Sequence, residues 1–113
     1  MKIFFGFALG LLLFSCTKKQ DQPAGNELTP AQAIERGKSI YNLNCTACHN
    51  VDPSKDGSTG PAIAKSTKEI LEARLLKATY PPDYKPKRDT NQMPALPHLE
   101  KEIPAITSFL NQK

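Results

Sequence analysis

Residues 45–49 read Cys45-Thr46-Ala47-Cys48-His49, and the spacing of their three reactive side chains decides what the rest of the chain is built around. Two thiols separated by two residues, with a histidine directly after the second, form the attachment signature of a covalently bound haem. The thiols add across the two vinyl groups of the porphyrin and become thioethers. Two intervening residues let one helical turn present both sulfurs to one side of the ring, and His49 is then placed to bind the iron as its proximal ligand. Two other uses of a Cys-x-x-Cys pair fit less well. A thioredoxin-like dithiol calls for a surrounding βαβ pattern, and none follows. A zinc site needs four ligands, and outside the motif the chain offers only Cys16 and His98.

Cys16 has a separate explanation. Residues 1–15 have the form of a bacterial signal peptide: a positive Lys2, an apolar run from Ile3 to Phe14, then the small Ser15. Leu13-Phe14-Ser15-Cys16 resembles a lipobox, the processing site of bacterial lipoproteins. Cleavage before Cys16 would leave its thiol and new amino terminus to carry acyl chains, and several chains at one terminus hold a protein durably on a membrane. The alternatives are a secretory peptide cut elsewhere or a transmembrane anchor. The apolar run is too short for the anchor, since a spanning helix needs about 20 residues. Haem is attached to such apoproteins outside the cytoplasmic membrane, and the leader exports the chain to that side. The reading is therefore a periplasmic protein, with Thr17 after the lipid-bearing cysteine favouring the outer membrane over the inner.

Without residues 1–15 the chain keeps 98 of its 113 residues, enough for one domain. A domain of that size buries a modest core, and 39% hydrophobic content with no tryptophan suits a core completed by an apolar porphyrin plate. The formal charge of +4 falls to +3 once Lys2 is removed. That mild excess permits a weak preference for acidic partners and gives no argument for nucleic acid. Residues 16–28 then form a lipidated tether, polar, with Pro23 and Gly25 and no hydrophobic period. About 12 such residues reach roughly 40 Å when fully stretched.

The domain proper spans residues 29–113. Thr29-Pro30-Ala31-Gln32 predicts a helix start, with an N-cap, a proline in the first turn and a glutamine three residues on. Ile34, Gly37 and Tyr41 then share one face, with Ile40 beside them, and the helix runs to about Leu43. Residues 50–65 are a loop. Ser66-Thr67-Lys68-Glu69 has the form of a capping box, and the apolar side of a second helix carries on to about Thr79, where Tyr80-Pro81-Pro82 stops it. Five prolines between residues 81 and 97 make the next segment stiff and irregular. A last helix is expected over about Glu100–Gln112, with Pro104 in its first turn and Ile103, Ile106, Phe109 and Leu110 inward. No stretch alternates with period two, so the fold class is all-α with long loops.

A haem iron held by one histidine has a second face to fill. Met1 leaves with the leader, so Met93 is the single methionine of the mature chain. It lies in Asn91-Gln92-Met93-Pro94, flanked by polar residues and proline, whereas a methionine that merely fills core sits in an apolar run. His98 is the rival, five residues on and just before the last helix. A thioether favours ferrous iron more than a second imidazole does, so His49/Met93 ligation implies a relatively high potential.

With these residues in place, residues 30–113 resemble the small monohaem class I cytochromes c. Gly37 and Tyr41 match the glycine–aromatic pair of that family's first helix, and Phe109 the aromatic of its last helix, which crosses the first at the glycine. Thr59-Gly60-Pro61 resembles the Gly-Pro that follows the haem motif. The resemblance implies a cytochrome c-like fold wrapped round one covalent haem c, with Gly60 and Pro61 at the cofactor. It also implies that the Pro61 carbonyl accepts the second ring N–H of His49. Met93-Pro94 matches the distal ligand and the proline after it. The stretch Tyr80–Asp89 matches no motif of the family; within it, Tyr84 is either a screen for the haem propionates or a ring packed in its own loop.

The reading of function is electron transfer without catalysis: both axial ligands stay bound while iron cycles between Fe(III) and Fe(II). Lys85, Lys87 and Arg88 are either a solvated cluster or a guide for an acidic redox partner. Other classes fare worse. A sensor or enzyme needs a vacant or labile sixth position, and a dihaem peroxidase needs a second Cys-x-x-Cys-His. Four-helix cytochromes carry the motif near the C-terminus, but 64 residues follow His49 here. A fixed electron-transfer subunit of a larger oxidoreductase remains open, and a monomer is the default.

Overall fold

Thr29 starts the first helix by reciprocal capping. Its Oγ1 accepts from the Gln32 N–H at 3.3 Å, while Gln32 Oε1 accepts from the Thr29 N–H at 2.9 Å. In the computed structural model, which describes residues 27–113, this helix α1 spans Pro30–Asn44. The expected leader over residues 1–15, Cys16, and the tether up to residue 26 lie outside the described residues. Helix α2 spans Lys68–Lys77, a 3-10 turn covers Pro97–Glu102, and α3 spans Ile103–Leu110. Among the described residues there is no strand, so the all-α expectation holds.

Three boundaries differ from the sequence reading, each for a local reason. Thr67, rather than Ser66, caps α2, accepting from the Ile70 N–H at 3.4 Å. The Ser66 hydroxyl instead donates to the Ile63 carbonyl at 2.7 Å. The same helix ends before Thr79, because Ala78 turns into the left-handed region (φ 52°). The Thr79 N–H then reaches back to the Ala73 carbonyl at 3.0 Å. The expected last helix is split. Pro104 has no N–H to offer Glu100, so the chain tightens beforehand into the 3-10 turn, with the Ile103 N–H bonded to Glu100 three residues back.

Helices α1 and α3 cross where Gly37 meets Ala105. A Cβ at position 37 would run into the Ala105 carbonyl and lie 2.9 Å from Phe109 Cβ. That missing side chain brings the ring of Phe109 to 5.3 Å (centroid to centroid) from Tyr41, tilted at 49°. Tyr41, Leu71, Leu75, Ile103, Ile106, Phe109 and Leu110 form one buried cluster. Arg36 reaches across from α1 to Glu102 with two bonds, from Nε to Oε2 at 2.7 Å and from Nη2 to Oε1 at 2.5 Å. The Arg36 guanidinium holds the Glu102 carboxyl below its usual range.

Tyr41 connects this core to the segment behind the haem motif. Its ring is fully buried and its hydroxyl donates to the Asn50 carbonyl at 2.6 Å. Burial is the main cause that pushes the Tyr41 phenol up, to about 12, with the Asp52 charge adding to it. Replacing Tyr41 with Phe should cost about 1–2 kcal/mol, because the Asn50 carbonyl is left without its donor. The sign with pH follows from linkage. The raised phenol contributes stability that is complete below the unfolded value near 10 and is lost as pH rises towards about 12. Urea unfolding at pH 7 should show the deficit in Tyr41→Phe, and the gap to the parent should narrow above pH 10.

Candidate haem site

Helix α1 runs straight into the motif. The Cys45 N–H bonds to the Tyr41 carbonyl at 2.8 Å, and the His49 N–H to the Cys45 carbonyl at 2.9 Å, so residues 45–49 continue as helical turns. Cys45, Cys48 and His49 thereby line one cavity of about 240 Å³. Cys48 is exposed and Cys45 half-buried. Burial pushes the Cys45 thiol up to about 11, the opposite of what a redox dithiol needs. Among the described residues, no three of His, Cys, Asp and Glu gather as a metal-ion site, so the zinc reading gains no second half.

His49 is buried and held from behind. Its Nδ1 lies 2.8 Å from the Pro61 carbonyl oxygen. A carbonyl can only accept, so the proton belongs on Nδ1 and the lone pair on Nε2 is left free for a metal. Gly60 provides the room: a Cβ there would lie 2.5 Å from His49 Nδ1, inside the ring's contact distance. The turn that presents Gly60 is fastened to the motif, with the Gly60 N–H bonded to the Cys48 carbonyl at 2.8 Å.

Met93 lines the same cavity and packs against the buried cluster, whereas His98 is exposed and outside the lining. Sequence reasoning passed over Arg74, which sits on α2 with only 6% of its surface exposed. Its Nη1 donates to the Ala78 carbonyl at 2.8 Å and its Nη2 to the Met93 carbonyl at 3.2 Å. The guanidinium also lies 4.6 Å from the centroid of the Tyr80 ring, a cation–π distance. Tyr84 stacks on Tyr80 at 5.2 Å, and both rings line the cavity.

The lining fits a haem in three respects. Ile63, Leu71, Leu75, Leu96, Ile106 and Leu110 supply apolar walls for the plate. Cys45, Cys48 and His49, the three residues of the attachment motif, all belong to the same lining. Among the described residues the charged side chains of the lining are Arg74, Lys87 and Arg88, all cations. Among the described residues no carboxylate pairs with Arg74. A buried charge needs a counter-charge, which the propionates of a bound haem would supply.

The family model described as Cytochrome c matches residues 34–113, most of the described chain. The chain belongs to the cytochrome c family. No curated protein and no solved structure matches it. Membership accords with the three-helix, strand-free fold and with a covalent haem c held through Cys45 and Cys48. The chemistry of this cytochrome is accordingly haem-based electron transfer. No helix among the described residues is long and apolar enough to cross a membrane.

Proposed function

We propose that this cytochrome is an electron carrier whose haem is bound axially by His49 and Met93, and that it works in the bacterial periplasm, held to a membrane by lipid on Cys16. Bound haem supplies a one-electron Fe(III)/Fe(II) couple. The protein's part is to keep the couple's surroundings constant. Pro61 fixes the tautomer and orientation of His49, and Arg74 holds the backbone of Met93. A site with both axial positions filled suits electron transfer better than turnover, so we assign no enzyme activity. The observation that carries the reading is that Met93, not His98, shares the cavity with His49.

Leu13-Phe14-Ser15-Cys16 supports the lipid anchor, and Thr17 favours the outer membrane over the inner. Tethering raises effective concentration near membrane-bound redox partners. A fixed place in a larger oxidoreductase is the alternative, and co-purification distinguishes it from a free monomeric shuttle. An acidic partner docking on Lys85, Lys87 and Arg88 is less favoured, because Lys87 and Arg88 bond within the chain.

The deciding experiment is the optical spectrum of the purified mature protein, ferric and then ferrous, with carbon monoxide added to the ferrous form. A low-spin spectrum with the weak red band of Met sulfur on ferric iron, and no response to carbon monoxide, is expected. Ready carbon monoxide binding would mean a labile sixth position and a ligand-binding sensor instead.

A further inference from the structure

The segment from Tyr80 to Leu96 carries Met93 but has little backbone bonding of its own. Its N–H groups make two loop backbone bonds, Tyr84 to the Pro81 carbonyl and Leu96 to the Leu75 carbonyl. Between them the chain depends on side chains. Lys87 Nζ donates to the Ala62 carbonyl at 2.6 Å. Arg88 Nη1 donates to the Thr59 carbonyl at 3.2 Å, and its Nη2 lies 3.5 Å from the Asp56 carboxylate. Asp56 is itself prepared for this, since its other oxygen accepts from the Ala62 N–H at 2.8 Å. The Asn50 amide also donates to the Asp56 carbonyl, at 3.2 Å.

The positions gripped are what give these bonds meaning. Thr59 and Ala62 stand on either side of Gly60-Pro61, the dipeptide against which the His49 ring lies. We propose that Lys87 and Arg88 are positioning residues, a clasp joining the loop that carries Met93 to the loop that supports His49. The clasp sets how readily an outside ligand displaces Met93. The inference rests on the Met93 reading above. Displacement requires residues around 93 to swing away from the cavity, which is a local opening, and segments with few backbone bonds open first. Charge-assisted bonds to two carbonyls and one carboxylate oppose that opening. Salt weakens the ionic part.

The test uses ferric holoprotein and imidazole as the incoming ligand, followed by stopped flow, with hydrogen exchange of the two bonded amides of the segment, Tyr84 and Leu96, measured in parallel. Lys87→Gln/Arg88→Gln should capture imidazole about tenfold faster than the parent and lose protection at the Tyr84 and Leu96 amides. Arg88→Lys should restore most of the parent rate in an otherwise parental chain, and Asp56→Asn should fall between. Added salt should accelerate the parent more than the double variant. Capture at the parent rate by the double variant, or faster exchange without faster capture, overturns the proposal. Met93→Leu separates the two failures. If that variant keeps the parental ferric spectrum, the ligation reading has failed; unchanged loop exchange in the double variant then overturns the clasp separately.

Discussion

Met93→Leu should fold, take up haem and lose its closed sixth position. The ferric spectrum should lose the weak red band, and the ferrous protein should bind carbon monoxide where the parent does not. The argument is a comparison of magnitudes. Leucine nearly conserves the volume of methionine, and such exchanges in partly buried positions cost under about 1.5 kcal/mol. Met93 is half-buried against the main cluster, so packing alone predicts a folded protein with modestly reduced stability. What leucine lacks is a lone pair. A thioether contributes a soft donor that favours the ferrous state, and its removal should lower the reduction potential. If Met93 were a packing residue only, the variant would shift the unfolding midpoint slightly and leave both spectra unchanged. His98→Ala supplies the control: His98 is exposed and outside the cavity, so its loss should change neither spectrum nor potential.

The parts of this architecture that could be read in advance are those written in short stretches of chain. A capping box needs four consecutive residues, and Thr29–Gln32 forms one. The helical face of Ile34, Gly37 and Tyr41 needs only a period, and Gly37 and Tyr41 are buried. The Cys-x-x-Cys-His spacing that implied covalent haem is as local. Arg74 is different. A cation on an amphipathic helix reads as solvent-facing, and burial appears only once the 78–93 segment folds back and presents two carbonyls to it. Lys87 and Arg88 had the same ambiguity, since their acceptors lie 25 and 29 residues away. Five prolines between residues 81 and 97 announced an irregular segment without saying where it would turn. Pro104 marks the first turn of the last helix, where it lies, but the pattern around it does not show that the residues before it tighten into a 3-10 turn. The general distinction is between patterns fixed by local geometry and side chains whose partner is supplied by closure of a loop.

Gly37→Ala should destabilise the protein by about 3 kcal/mol, and Gly37→Val should fail to give folded holoprotein. Helix propensity alone predicts the reverse for alanine, since replacing an interior glycine gains about 1 kcal/mol. The crossing of α1 and α3 outweighs that gain. A Cβ at position 37 meets the Ala105 carbonyl oxygen, with the carbonyl carbon at 2.6 Å and Phe109 Cβ at 2.9 Å. The obstacle is mainly backbone, so no rotamer change relieves it, and α3 must move away as a unit. Moving α3 pulls Ile106 and Leu110 from the haem cavity they line and Phe109 from Tyr41. A domain of this size holds only about 5–15 kcal/mol against unfolding, so one methyl group here removes a large share of it. Urea titration of the alanine variant should show a lower midpoint with an unchanged slope, as for a native state weakened without loss of compactness. A stability equal to or above the parent would mean that the helices separate at little cost, and that the close crossing is not what organises this core.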